Sequence, residues 1–316
     1  MSFMVSVLLP VWNGEEFLSD SITSILNQDY ENLELLVCND GSTDNTKEII
    51  AYYEKRDKRV IGFSQIHSGK VQALNKAFSQ SSGEVICLFA HDDVLLPSSV
   101  RRRVIELEKY KNAVVYHNAW FCDGQLKVKR LLYPMVKEYS FAAPKDFNMI
   151  LRRNIMGGGL CAFSRNIGTK IFPIPEELSF EDWWITFISI LNADFIKYIP
   201  EPLAYYRIHG KNDNGSMVIN DEIIKRDWRR HDKIYTAFLT YIERSTTSLT
   251  EKQRLSAMKH IVLNRKVVMN AINGRLSFPG ISTLYVLGLK KYILSQFLAK
   301  NKVKLLFELK SRLLKK

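Results

Sequence analysis

Along the first 120 residues, short apolar runs alternate with stretches of helical periodicity. Val5–Pro10, Leu33–Cys38, Val60–Ile66, Val85–Phe89 and Ala113–Cys122 are the apolar runs, and each predicts a strand. Between them, Glu15–Asn27, Thr46–Lys55, Val71–Ser79 and Ser98–Tyr110 carry apolar residues at helical spacing. Strand and helix alternate four times with short connections, the pattern of a doubly wound, mostly parallel α/β sheet. Val85–Phe89 is apolar at every position, as expected of a strand covered on both faces.

Beyond Cys122 the alternation breaks. Asp123-Gly124 predicts a hairpin turn leading into Leu126–Tyr133, and Phe147–Arg152 a short helix. Gly157-Gly158-Gly159 precedes a strand over Leu160–Phe163. This glycine run either admits a ligand close to the backbone or forms a plain loop. A helix is expected from Phe180 to Leu191, and a strand over Phe195–Ile199 leads toward Tyr205–Gly210. From Asn220 onward the periodicity is helical, over Asp221–Glu243, Thr250–Asn273 and Ile281–Lys316. The expected division is a sheet domain over 1–215 and a helical region over 216–316.

Composition sharpens the picture in two places. The formal charge of this 316-residue chain is +12. Between Lys290 and Lys316 nine Lys and Arg face one Glu, so +8 of the +12 lies in the last segment. A basic tail on a nearly neutral body, with no DNA- or RNA-reading motif, argues against nucleic acid as a partner. Leu289, Tyr292, Ile293, Phe297, Leu306 and Phe307 recur between these lysines. Residues 289–316 therefore read either as a basic amphipathic segment on an anionic membrane surface or as a helix packed on the body. The N-terminus lacks the pattern of a secretory signal, and no run reaches transmembrane length. The expected location is cytoplasmic and peripheral, on the inner face of the cell membrane. Cys38, Cys87, Cys122 and Cys161 have no metal-ligand spacing and read as buried thiols.

The candidate chemistry sits at strand ends, where open α/β sheets bind ligands. Polar clusters follow three strands: Trp12-Asn13, Asp40 and Asp92-Asp93. Neither G-x-G-x-x-G nor G-x-x-x-x-G-K-[ST] occurs, so the two commonest nucleotide cradles of this architecture are missing. Adjacent carboxylates repel unless a cation lies between them, and a hard divalent ion takes such oxygens together with phosphate. Read alone, Asp92 could instead cap the helix near Ser98, or both residues could be solvated loop. Glu181-Asp182 opens a helix, where the macrodipole alone favours acidic residues.

Taken in order, Leu9-Pro10-Val11-Trp12-Asn13, Asn39-Asp40-Gly41-Ser42-Thr43-Asp44, Gly69-x-x-x-Ala73-x-Asn75, His91-Asp92-Asp93, Glu181-Asp182 and Arg207-Ile208-His209 resemble the motifs of family-2 inverting glycosyltransferases. The likeness covers residues 1 to about 215 and is of the bacterial capsule or lipopolysaccharide type. It implies the GT-A fold, a Rossmann-like mixed sheet flanked by helices, followed here by a helical C-terminal region. It also implies transfer of a sugar from a nucleotide-diphosphate sugar, usually a UDP-sugar, to a glycan or lipid-linked hydroxyl. Pro10, Val11, Trp12, Asn13, Glu15, Asp40, Lys70, Asn75, Asp92 and Gly158 are the implied donor-binding residues. Trp12 stands where the family more often has tyrosine. Asp92, Asp93 and His209 are the implied ligands of Mn²⁺ or Mg²⁺, and Asp182, with Glu181, the implied base. Ala90 occupies the first acidic position of the family's D-x-D-D form. That departure supports the alternative of a non-catalytic nucleotide-sugar-binding module or scaffold.

Overall fold

The computed structural model of the protein describes residues 2–132, 141–142, 159–179, 181–210, 221–244 and 250–272. The strands, in chain order, are β1 (Val5–Val11), β2 (Leu33–Asn39), β3 (Val60–Ser64), β4 (Val85–Leu88), β5 (Val94–Leu95), β6 (Ala113–Asp123), β7 (Val128–Leu131), β8 (Phe141–Ala142), β9 (Cys161–Ser164) and β10 (Phe195–Ile208). The helices are α1 (Leu18–Leu26), α2 (Thr46–Glu54), α3 (Lys70–Gln80), α4 (Ser99–Leu107), α5 (Arg165–Ile171), α6 (Glu181–Asn192), α7 (Asp221–Arg244) and α8 (Glu251–Ile272).

The sheet runs β3-β2-β1-β4-β9-β6-β10-β5, with β7 on β6 and β8 on β10. Strands β3, β2, β1 and β4 are parallel, and β2, β3 and β4 each follow a helix, as the alternating pattern requires. Strands β1, β2 and β4 are buried at every position, which is why their sequences are nearly continuous apolar runs. The core beneath α1 and α4 joins Leu9, Leu35, Ile22, Cys87, Val104 and Val115. All four cysteines are buried and unbridged.

The second half makes the sheet mixed. β9 inserts antiparallel between β4 and β6, and β10 returns parallel to β6. β10 is one strand where the sequence predicts only its first stretch. Pro200 and Pro202 interrupt the apolar pattern, and the ladder shifts register on both sides of Pro202 without ending. The two-residue β5 and the short helix α5 carry too little periodicity to be foreseen.

The chain divides into two compact units. The sheet and its helices form the first. The second contains α7 and α8, where Ile234, Tyr235, Phe238, Ile242, Ala257 and Ile261 are buried. No described helix is long and apolar enough to cross a membrane. The expected helix over Phe147–Arg152, Gly158 and the basic segment 289–316 lie outside the described residues.

Candidate active site at the sheet edge

The site is assembled where β1, β2, β4 and β10 end and α3 and α6 begin. The first element is the turn after β1. Asn13 takes a left-handed backbone, φ 49°, which asparagine tolerates better than most residues. Its Oδ1 accepts from the Thr43 N–H at 2.9 Å, while Ser42 Oγ accepts from the Asn13 N–H at 2.9 Å. Glu15 Oε2 accepts from the Asn45 amide nitrogen at 2.9 Å, and Asp44 Oδ2 from the Glu15 N–H at 3.1 Å. The first and second strand-end loops are thus laced together, and Glu15 and Asn13 serve that lacing. Pro10 and Val11 are buried within β1, so their side chains belong to the core. Trp12 is half exposed beside them and stacks on His67, with ring centroids 4.7 Å apart at 29°.

Asp40 is buried beneath that pair and its carboxylate is crowded with donors. Oδ1 accepts from the Ser68 N–H and from Gln65 Nε2, each at 2.8 Å. Oδ2 accepts from the Gly69 N–H at 2.8 Å and lies 3.0 Å from His67 Nδ1. Asp40 therefore ties down residues 65–69, which lead into α3. Gly69 has φ +96°, a conformation that favours glycine.

Lys70, the first residue of α3, reaches across to Glu181, the first residue of α6, and forms an ion pair with it. Burial works to lower the Lys70 ammonium, but the carboxylates of Glu181, Asp182 and Asp92 prevail and hold it above its ordinary value. Asp182, next to Glu181, is partly exposed and accepts from the Trp183 N–H at 2.8 Å. Burial and the negative charge of Glu181 push its carboxyl up to about 7, with Lys70 opposing. A carboxyl at that level exchanges protons readily near neutrality.

The tip beyond β4 separates its two aspartates. Asp92 Oδ2 lies 3.1 Å from His209 Nε2. Asp93 turns inward and is almost wholly buried; its Oδ1 accepts from the Arg207 N–H at 2.9 Å. Its Oδ2 has no hydrogen-bond partner among the described residues. Burial and the neighbouring Asp92 raise the Asp93 carboxyl well above the usual carboxylate range. Arg207 and His209, at the end of β10, are held from α1. Arg207 pairs with Asp20 at 2.9 Å and lies over the Phe17 ring, and Phe17 also meets the His209 ring at 4.7 Å.

The three residues of the implied metal set have different surroundings. Among the described residues no three His, Cys, Asp or Glu side chains gather around one point. Asp93 gives one oxygen to the backbone of β10, where it satisfies an N–H at the strand end, and its Oδ2 stays without a hydrogen-bond partner among the described residues. Asp92 and His209 remain a fitting pair for Mn²⁺ or Mg²⁺, one oxygen and one imidazole donor, with room in the coordination sphere for phosphate oxygens and water. The amide of Asn75 is engaged within the fold. Its Nδ2 donates to the Ile174 carbonyl at 2.9 Å and its Oδ1 accepts from the Ile174 N–H at 2.8 Å, so it clamps α3 to the segment after α5.

A continuous chain of contacts therefore runs from Trp12 through His67 and Asp40 to Gly69 and Lys70, then to Glu181. Lys70 is in turn within electrostatic reach of Asp92 and Asp182. Gly159, with φ +77°, closes one side, and a Cβ there would lie 3.2 Å from the Ala90 nitrogen. Sequence reasoning missed His67, Asp20 and Phe17. A histidine two residues before the Gly69 motif was the available signal for His67; Asp20 and Phe17 read simply as part of an amphipathic helix.

Comparison with known proteins bears on this arrangement. The family model described as Glycosyl transferase family 2 matches residues 6–172. An uncharacterized glycosyltransferase of Haemophilus influenzae is 30% identical over 236 residues, covering 69% of each chain. The putative teichuronic acid biosynthesis glycosyltransferase TuaG of Bacillus subtilis is 24% identical, over 86% of this chain and 98% of its own. The crystal structure of S. aureus TarS 1-349 in complex with UDP-GlcNAc has the same fold, with a TM-score of 0.62 at 17% identity, over 89% of this chain and 79% of that one.

Proposed function

The chain belongs to glycosyltransferase family 2, and from that premise we infer that it moves a sugar from a UDP-sugar to a hydroxyl of a glycan or lipid-linked acceptor, with inversion. The observation that carries the reading is Asp182, a carboxyl held at about 7 beside the Lys70–Glu181 pair. In the transfer, the acceptor oxygen forms a bond to C1 of the sugar while the bond from C1 to the diphosphate oxygen breaks. The acceptor proton passes to Asp182, and UDP leaves with the electron pair. A single displacement inverts the anomeric centre, so no protein nucleophile is required. Proton acceptance by a placed carboxylate contributes roughly 10²–10⁴-fold.

Trp12 offers an exposed aromatic face for the base, and Lys70 a cation for the diphosphate. Asp92 and His209 are the residues that would hold Mn²⁺ or Mg²⁺, which supplies positive charge to the leaving diphosphate. The UDP-GlcNAc complex of TarS and the likeness to TuaG, a putative teichuronic acid biosynthesis glycosyltransferase, support a UDP-sugar and a cell-surface polymer or its lipid-linked precursor. The composition of the basic segment 289–316 suits an anionic lipid surface and supports a peripheral position at the inner face of the cell membrane.

The test is release of UDP from a panel of UDP-sugars, with and without Mn²⁺, in the presence of acceptor lipid extract. Asp182→Asn is expected to reduce transfer by about 10²–10⁴-fold while UDP binding stays near that of the parent. Equal turnover in the variant removes Asp182 from the role.

A further inference from the structure

We propose that His67, rather than Asp40, accepts the ring N–H of the nucleotide base and so determines which base is bound. The proposal rests on the nucleotide reading of this site and deepens it.

A carboxylate has about four lone-pair positions for hydrogen bonds. The Asp40 carboxylate accepts three hydrogen bonds from its own chain, from the Ser68 and Gly69 backbone N–H groups and from Gln65 Nε2, and His67 Nδ1 lies 3.0 Å from its Oδ2. It is 2% exposed. A base approaching Trp12 therefore meets an Asp40 that is buried and whose two oxygens both already accept from its own chain.

His67 is placed differently. Its Nδ1 lies 3.0 Å from Asp40 Oδ2 and 3.1 Å from the Asp40 carbonyl oxygen. Both neighbours are acceptors, so Nδ1 must carry the proton. In the neutral imidazole the other nitrogen, Nε2, then presents a lone pair. The side chain is 54% exposed, and Nε2 has no partner among the described residues. The stack on Trp12 fixes the ring beside the aromatic face offered to the base. Asp40 thus orients a histidine whose free nitrogen is an acceptor at the rim, the arrangement by which a carboxylate commonly fixes an imidazole tautomer.

An acceptor at this point suits a base that shows an N–H between carbonyl-type oxygens or next to one. Uracil (N3–H) and guanine (N1–H) have this feature. Cytosine and adenine present an unprotonated ring nitrogen at the corresponding edge, which leaves two acceptors opposed.

Calorimetric titration of the full chain at about pH 8, with UDP, N3-methyl-UDP, GDP, CDP and ADP, tests the proposal. The parent is expected to bind UDP or GDP about tenfold more tightly than CDP or ADP, the value of roughly one hydrogen bond. If the preferred base is uracil, N3-methylation is expected to cost a similar factor, and in His67→Phe, which keeps a ring on Trp12, and in His67→Ala that penalty disappears. If it is guanine, the GDP preference over ADP collapses in both variants. Melting temperatures without nucleotide report whether the variants are folded. A methylation or base penalty that persists undiminished in both folded variants overturns the role of His67 alone. A parent that binds none of the nucleotides overturns both this role and the nucleotide reading beneath it.

Discussion

Asp182 shows how a single side chain acquires its chemistry from neighbours. Burial and Glu181 raise its carboxyl, and Lys70 limits the rise to about 7. A base acts when deprotonated, so kcat/KM is expected to climb with pH through about 7 and level off above it. Lys70→Met removes the cation that holds the carboxyl down, so the rising limb should move to higher pH. A profile that keeps its midpoint in Lys70→Met would show that the titrating group is not Asp182. The linkage to stability has the opposite sign. Between the ordinary carboxylate range near 4 and the raised value near 7, the folded protein holds a proton the unfolded chain has lost, so this residue's contribution falls as pH rises across that window. At the same scale, Asn75→Ala breaks two hydrogen bonds to Ile174 and should cost about 1–3 kcal/mol in denaturant titration. Affinity for UDP should not change. A selective loss of UDP binding in a variant of parental stability would return Asn75 to the donor site.

Among the elements, the early strands and helices were legible because each depends on local pattern alone. Val5–Pro10, Leu33–Cys38 and Val85–Phe89 are apolar throughout since both faces are covered, and β1, β2 and β4 lie within one residue of these runs. The lacing of loops was not legible. That Asn13 meets Thr43, or that Asp40 gathers residues 65–69, depends on the parallel register of β1 on β2 and β2 on β3, which no local signal encodes. For the same reason Asp92 and Asp93 looked alike in the sequence, yet one faces His209 and the other the backbone of Arg207. Gly159 belongs to this level as well. Its left-handed backbone and its approach to Ala90 leave little room for a side chain. Gly159→Ala is expected to lower stability by about 1–2 kcal/mol, read as a fall in melting temperature, and an unchanged melting temperature would mean the loop relaxes freely.

For the whole molecule, composition was informative chiefly about where charge lies. The sheet unit gathers the candidate site, whereas the excess of lysine and arginine is at the far end of the sequence. Removing Leu289–Lys316 should transfer the protein from the membrane pellet to the supernatant after cell fractionation and leave turnover on a water-soluble acceptor near the parental rate. Continued pelleting of the shortened chain would assign the attachment to another part. Strand order has its own consequence. β9 lies between β4 and β6, two strands that come much earlier in the chain and do not touch each other. Until a ribosome has delivered Cys161–Ser164, β4 and β6 each present an unsatisfied strand edge to the gap that β9 fills, the kind of bare edge that invites self-association. A fragment ending at residue 158 should therefore collect in inclusion bodies, and supplying the remainder of the chain, with β9 and β10 on it, should rescue it.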